Sequence, residues 1–215
     1  MINLDNLHIL PKSFYTREDA TIIAREMLGK VLVTKDEDGI SAGIIVETEA
    51  YMGPDDLACH AHSNRRTPRT LTMYKEGGTS YVYVCYGLHH LFNAVTGKTD
   101  MGHAVLVRAI QPFMNENLML KRRNQSMMKP TVTNGPGKLS VALGITKKWN
   151  DVDLTSTSSP VVIVETDVDE KLGTIESGPR VGMSHHTKHC GHYPWRFKYT
   201  SNKWTSKPDQ VKYDW

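Results

Sequence analysis

Two glutamates and a tyrosine occupy alternate positions in the run Val46-Glu47-Thr48-Glu49-Ala50-Tyr51. Side chains of an extended chain point alternately to two faces, which puts Ile45, Glu47, Glu49 and Tyr51 on one side. Ile44, Val46, Thr48 and Ala50 take the other side, which is mostly apolar and should pack on a core. A carboxylate beside an aromatic ring can position and deprotonate a water and favour positive charge developing on a substrate. The pair also admits a carbohydrate-hydrolase reading. Residues two apart on a strand lie about 6.6–6.8 Å apart, near the carboxylate separation of inverting glycosidases. Both would then lie on one side of the sugar rather than flank it. Taken by itself, Glu-x-Glu is most simply an exposed strand face.

A second group is Ser80-Tyr81-Val82-Tyr83-Val84-Cys85-Tyr86-Gly87. Tyr81, Tyr83 and Cys85 point one way. Tyr86 points the other way, just before a glycine at the strand end. Tyrosine is a good strand former, so sheet packing accounts for the run equally well. Basic residues cluster at Arg65, Arg66 and Arg69, at Lys121, Arg122 and Arg123, and along 184–215, which includes Lys207 and Lys212. Such clusters are solvated surface or the footprint of an anionic partner. Gly135-Pro136-Gly137-Lys138 can be a plain helix start, or its N–H groups and Lys138 can take a phosphate. His185-His186-Thr187-Lys188-His189-Cys190-Gly191-His192 is rich enough in His to raise zinc. Its spacing is not that of a finger and no second cysteine is near, so it reads as a variable surface loop. No metal or other cofactor is assigned.

These residues need elements to hold them. The pattern predicts a helix over 16–28, capped by Thr16 with Asp19 as a short-armed capping box and ended at Gly29. Lys30–Thr34 and Ile40–Ala50 form a hairpin around Asp36-Glu37-Asp38-Gly39. Residues 53–79 have no period and form a long irregular loop, usually a functional feature in a compact domain. Ser80–Tyr86, Phe92–Val95, Ala104–Ile110 and Val161–Glu165 read as strands, and Asn115–Asn124 and Gly137–Leu143 as helices. Hairpins with few helices indicate α+β: one domain over 1–215 with a curved, mainly antiparallel sheet, flanking helices and a protruding hairpin.

The 215 residues suffice for one ordinary core. With 39% hydrophobic and 23% charged residues the chain reads as soluble and globular. The net charge of +3 is only a weak pointer to an anionic partner. Three cysteines without Cys-x-x-Cys argue against a disulfide framework and fit a reducing compartment. The opening Met1-Ile2-Asn3-Leu4-Asp5 lacks a secretory pattern, and no apolar run is long enough to span a bilayer.

The run from Val46 to Asp56, His60, Thr67-Pro68-Arg69, Tyr81-Val82-Tyr83, Tyr86-Gly87, Asn93, Leu106-Val107-Arg108-Ala109, Asn134-Gly135-Pro136-Gly137-Lys138-Leu139 and Pro194-Trp195-Arg196-Phe197 resembles the alkyladenine (3-methyladenine) DNA glycosylase family in order and spacing. The likeness covers roughly 16–204. It implies a monofunctional enzyme that flips a damaged purine from duplex DNA and hydrolyses its bond to the sugar, releasing base without cutting the strand. The resemblance gives Glu49 the role of general base, which leaves Glu47 a supporting one. It makes Tyr51, His60 and Tyr83 the rings that sandwich the base and Tyr86 the wedge that fills the gap. Asn93 becomes the residue that rejects guanine by crowding its exocyclic amine. Arg108 joins the catalytic group beside the flipped nucleotide's phosphate region, and Arg69 and Lys138 are assigned to DNA. The implied partner is lesion-bearing double-stranded DNA, met by a monomer without a membrane in the cytoplasm, or in the nucleus of a eukaryote. The departures are Leu88-His89-His90 after the wedge and the His-rich 185–192.

Overall fold

The computed structural model describes residues 8–165 and 172–206. The N-terminal Met1–Asp5 and the basic Lys207 and Lys212 lie outside them.

Two short helices precede the sheet, α1 (Lys12–Tyr15) and α2 (Ala20–Glu26). The second is shorter than the predicted 16–28, because its cap is Asp19, whose side chain accepts from Thr21 N. Thr16 instead ends α1, where its N–H donates to Lys12 O. Gly29 takes a left-handed φ of 86° after α2, as its sequence position requires. Strands β1 (Val31–Asp36) and β2 (Gly39–Met52) form the expected hairpin. The hairpin β3 (Ser80–Cys85) and β4 (His89–Thr96) leads into β5 (His103–Met114). Helices α3 (Glu116–Arg123) and α4 (Pro136–Ala142) follow, then β6 (Val161–Val164), β7 (Ile175–Gly178) and β8 (Arg196–Tyr199). The last two strands and α1 went unpredicted.

The strands make one antiparallel sheet in the order β3-β4-β5-β2-β1-β6, with β8 on β2 and β7 on β8. The architecture is α+β. The main core packs α2 and α4 against the sheet, through Ile23, Met27, Val107, Ile110, Leu139 and Leu143. Each such side chain contributes roughly 1.5–3 kcal/mol by leaving water. Among the described residues no helix is long and apolar enough to cross a membrane.

Strand β2 does not alternate along its whole length. Ile45 lies opposite Ile110 on β5, and Glu47 lies opposite the very next partner, Ala109. Val46 therefore has no partner on β5. The ladder next passes over Arg108 of β5 and is back in register at Thr48 and Val107, so both strands bulge over this step. Ile45 sits in the main core with Ala50, not with the glutamates as simple alternation predicts. Beyond the bulge the pattern holds. Thr48 donates to Ala24 O of α2 at 2.7 Å, while Glu47, Glu49 and Tyr51 face the other way. The bulge also marks a change of neighbour. β1 pairs with β2 through residues 39–44, and β8 pairs with it at residues 47–49.

Candidate active site

Glu47 and Glu49 are both fully buried, so the exposed strand face suggested by their spacing is not what forms. Their charges are met by arginines from neighbouring strands. Glu47 Oε1 accepts from Arg108 Nε at 3.1 Å, Arg196 Nε at 2.7 Å and Ser206 Oγ at 2.7 Å, and Oε2 accepts from Ser206 N at 2.6 Å. Burial by itself would raise the Glu47 carboxyl. The Arg108 and Arg196 charges and the Ser206 hydrogen bonds outweigh it and hold the group below its ordinary range.

Glu49 is held differently. Its Oε1 accepts from Val181 N at 2.6 Å, its Oε2 from the Tyr51 hydroxyl at 2.7 Å, and Arg108 Nη1 lies 3.3 Å from Oε2. An ionised carboxylate has about four acceptor positions. Three are taken, which leaves one for a water. Arg108 is 7% exposed and links the two glutamates. Burial opposes its charge, and Glu49 and Glu47 more than restore it.

Arg180 was absent from the sequence-derived site, yet it anchors it. It is 1% exposed and grips Asp56 with both nitrogens, at 2.5 and 2.8 Å. It also donates to Ala50 O and Cys190 O and lies beneath the rings of Tyr51 and Trp195. Its neighbour Val181 supplies the N–H that holds Glu49. The only sequence signal was an arginine framed by glycines and proline, Gly178-Pro179-Arg180-Val181-Gly182. The His-rich segment backs this anchor. It winds through 3-10 turns over His185–His192 and buries Thr187, Cys190 and Gly191, so it is more than a surface loop. Among the described residues no three His, Cys, Asp or Glu side chains group so as to hold a metal.

A cavity of about 500 Å³ opens in front of the glutamates, and Tyr51, His60, Tyr83, Asn93, Arg108 and Val181 are among its walls. His60 meets Tyr83 edge-on with centroids 4.6 Å apart, and Tyr81 stacks behind Tyr83 at 5.4 Å. Asn93 is 4% exposed and held by Tyr81 O and Leu91 O, which fixes its side chain in the wall. Arg69 is at the surface. Its Nη2 lies 3.2 Å from His60 Nε2, and its guanidinium lies over the Tyr83 ring. Arginine only donates, so Nε2 accepts and the neutral ring carries its proton on Nδ1, donating to the Tyr81 hydroxyl at 2.9 Å.

Burial first, then the Arg69 and Arg65 charges, push the His60 imidazole down to about 4 from 6.5. Its NMR titration midpoint is expected near that value, and Arg69→Met should raise it. Because the unfolded ring protonates first, His60 costs the fold stability as pH falls from about 6.5 towards 4. An unshifted midpoint in the parent would show that the ring is not enclosed in this way.

The β3–β4 hairpin stands at the cavity mouth. Tyr86 and Gly87 both take positive φ, 50° and 71°, and Leu88 N closes the turn on Cys85 O. A bulky residue with positive φ is strained, and such strain gathers at functional sites. Tyr86 is 91% exposed and Leu88 77%, so two apolar side chains project from the tip. Lys138 faces the cavity from α4, its Nζ on Asn134 Oδ1 at 3.0 Å. The structure thus brings Arg108, Tyr51, His60, Tyr83, Asn93 and Lys138 around one cavity, with Glu49 buried behind Tyr51, Arg108 and Val181 of its wall, Arg69 outside it and Tyr86 at its rim.

A family model described as methylpurine-DNA glycosylase (MPG) matches residues 13–203. The chain is similar to a Chlamydia abortus protein, 46% identical over 190 residues, or 88% of this chain and 97% of that one. A Clostridium botulinum protein is 41% identical over 206 residues, covering 93% and 99%. A Bacillus subtilis protein is 41% identical over 198 residues, covering 92% and 96%. The names of all three carry the words 3-methyladenine DNA glycosylase. With such coverage on both sides, the chain belongs to the methylpurine-DNA glycosylase family, DNA-repair enzymes that hydrolyse N-glycosyl bonds.

Proposed function

We propose that the protein turns an alkylated or deaminated purine, of the 3-methyladenine or hypoxanthine kind, out of duplex DNA and releases it with a water activated by Glu49. The observation that carries this reading is Glu49 itself, buried and bonded to three groups that line an aromatic cavity. A base inside a duplex is out of reach, so it must leave the stack at a cost of a few kcal/mol. Tyr86 is the wedge that fills the gap, as apolar side chains do elsewhere between base steps. Tyr51, His60 and Tyr83 sandwich the base, and Asn93 rejects guanine by crowding its exocyclic amine.

The bond from sugar to base then breaks through an oxocarbenium-like sugar. Its electron pair goes to the purine, the water attacks the sugar carbon, and Glu49 takes the water's proton. Arg108 holds Glu49 in place and lies near the nucleotide's phosphate side. Lys138, with its ammonium on Asn134, belongs to the DNA backbone rather than to the sugar carbon, so the strand stays intact. Glu47 supports this machinery. Its oxygens are engaged by two arginines and Ser206, which disfavours a paired-carboxylate sugar hydrolase. One chain supplies every group, so a monomer suffices.

Duplexes carrying hypoxanthine or 3-methyladenine should yield free base and abasic sites, with breaks appearing only after alkali. Binding of the lesion with no release over long incubation would make the protein a non-catalytic reader of damage and sink the proposal.

A further inference from the structure

The charged groups behind the cavity largely cancel. Glu47 and Glu49 face Arg108 and Arg196, and Asp56 faces Arg180. Arg69 is different. It meets the Tyr81 hydroxyl, the His60 ring at 3.2 Å and the face of the Tyr83 ring, 4.8 Å from its centroid, and none of these neutral groups neutralises a cation. Both rings belong to the wall that receives the base, so a full positive charge stands one ring away from it.

The geometry points to Arg69 as a specificity determinant that favours neutral lesions over cationic ones; this rests on the base-cavity reading above. Two effects act together. Through space, the guanidinium repels a purine carrying positive charge. Through the ring, it already occupies the electron-rich face of Tyr83 and draws on the attraction that ring would otherwise offer a cation. His60 adds none of its own repulsion, because the same arginine keeps its Nε2 engaged as an acceptor and the ring uncharged.

The effect survives into the transition state. When the C1′–N bond breaks, its electron pair passes to the base. A methylated cationic purine leaves towards neutrality, and a neutral hypoxanthine leaves towards a negative charge. The two bases still differ by about one unit of charge at every point, so Arg69 helps the departure of hypoxanthine throughout. Arg69 is exposed in the free protein, and solvent screening limits the preference to roughly three- to tenfold.

The test compares excision of hypoxanthine and of 3-methyladenine, which is cationic in DNA and lacks the guanine amine, from otherwise identical duplexes, as kcat/KM. Arg69→Met should lower the hypoxanthine-to-3-methyladenine ratio by roughly three- to tenfold relative to the parent. Arg69→Lys, which keeps the charge, should restore most of it. The parent's own ratio should fall in the same direction as salt is raised, because screening acts on the exposed guanidinium while backbone contacts weaken alike for both duplexes. That arm needs no variant to fold. Equal losses on both lesions, with a shallower salt dependence, would make Arg69 a phosphate contact and overturn the inference alone. A parent that releases neither base would overturn the proposed function and this inference with it.

Discussion

Glu49→Gln should still bind lesion-bearing duplex but release base about 10²–10⁴-fold more slowly, the usual worth of a positioned general base. Glutamine keeps the shape and a carbonyl oxygen for Val181 N–H. Its amide group can neither take a proton from water nor accept from Tyr51 and Arg108, which now meet a donor. The loss is therefore in the chemical step, with a smaller cost in local order. Single-turnover base release and lesion binding, measured side by side, separate the two. Release at the parent's rate would show that the water is activated elsewhere. Loss of binding together with release would point to a disturbed pocket instead.

The second large effect falls on stability. Arg180 and Asp56 form an ion pair with both side chains inaccessible to solvent. Removing one partner strands a buried charge, which typically costs 3–5 kcal/mol. Arg180→Met and Asp56→Asn should each lower the unfolding free energy by about that much, read by denaturant titration. The double variant should cost less than the sum, because the second change removes the charge stranded by the first. Arg180→Met should also impair catalysis in whatever stays folded, since the segment bearing Val181 N–H loses its anchor. Additive losses would show that the two charges do not depend on each other.

The chemistry of this site was more legible in the sequence than its framework. Glu49 and Tyr51 share a face because nothing interrupts the strand between them. Ile45 defeated the same reasoning, because a bulge is set by what pairs alongside, and here β1 gives way to β8. The strands β7 and β8 are four residues each, too short for a period to show. Arg180 lay in an irregular stretch, where no pattern announces that a cation will be enclosed. Asp19 was noticed as half of a capping box and proved to be the cap itself, because α2 starts at Ala20 and not at the Thr16 taken as its cap. Arg69 was read as a contact for DNA. Its place against His60 and Tyr83 was hidden because it stands nine positions along an irregular loop from His60, and Tyr83 lies on a strand beyond that loop.

The break in alternation at Val46 bears on how this chain tolerates changes in length. Upstream of it, the β1–β2 hairpin can gain or lose residues at its turn without disturbing the cavity. Downstream, parity rules. Deleting any single residue between Val46 and Tyr51 shifts the reading of the strand by one, exchanging a glutamate for a threonine or an alanine on the face that backs the cavity. Changes in pairs would conserve the facing but move the carboxylate by a full pleat away from Val181. Neither kind of length change within the stretch from bulge to tyrosine leaves Glu49 where its partners are, so this short segment can vary in residue type but not in count.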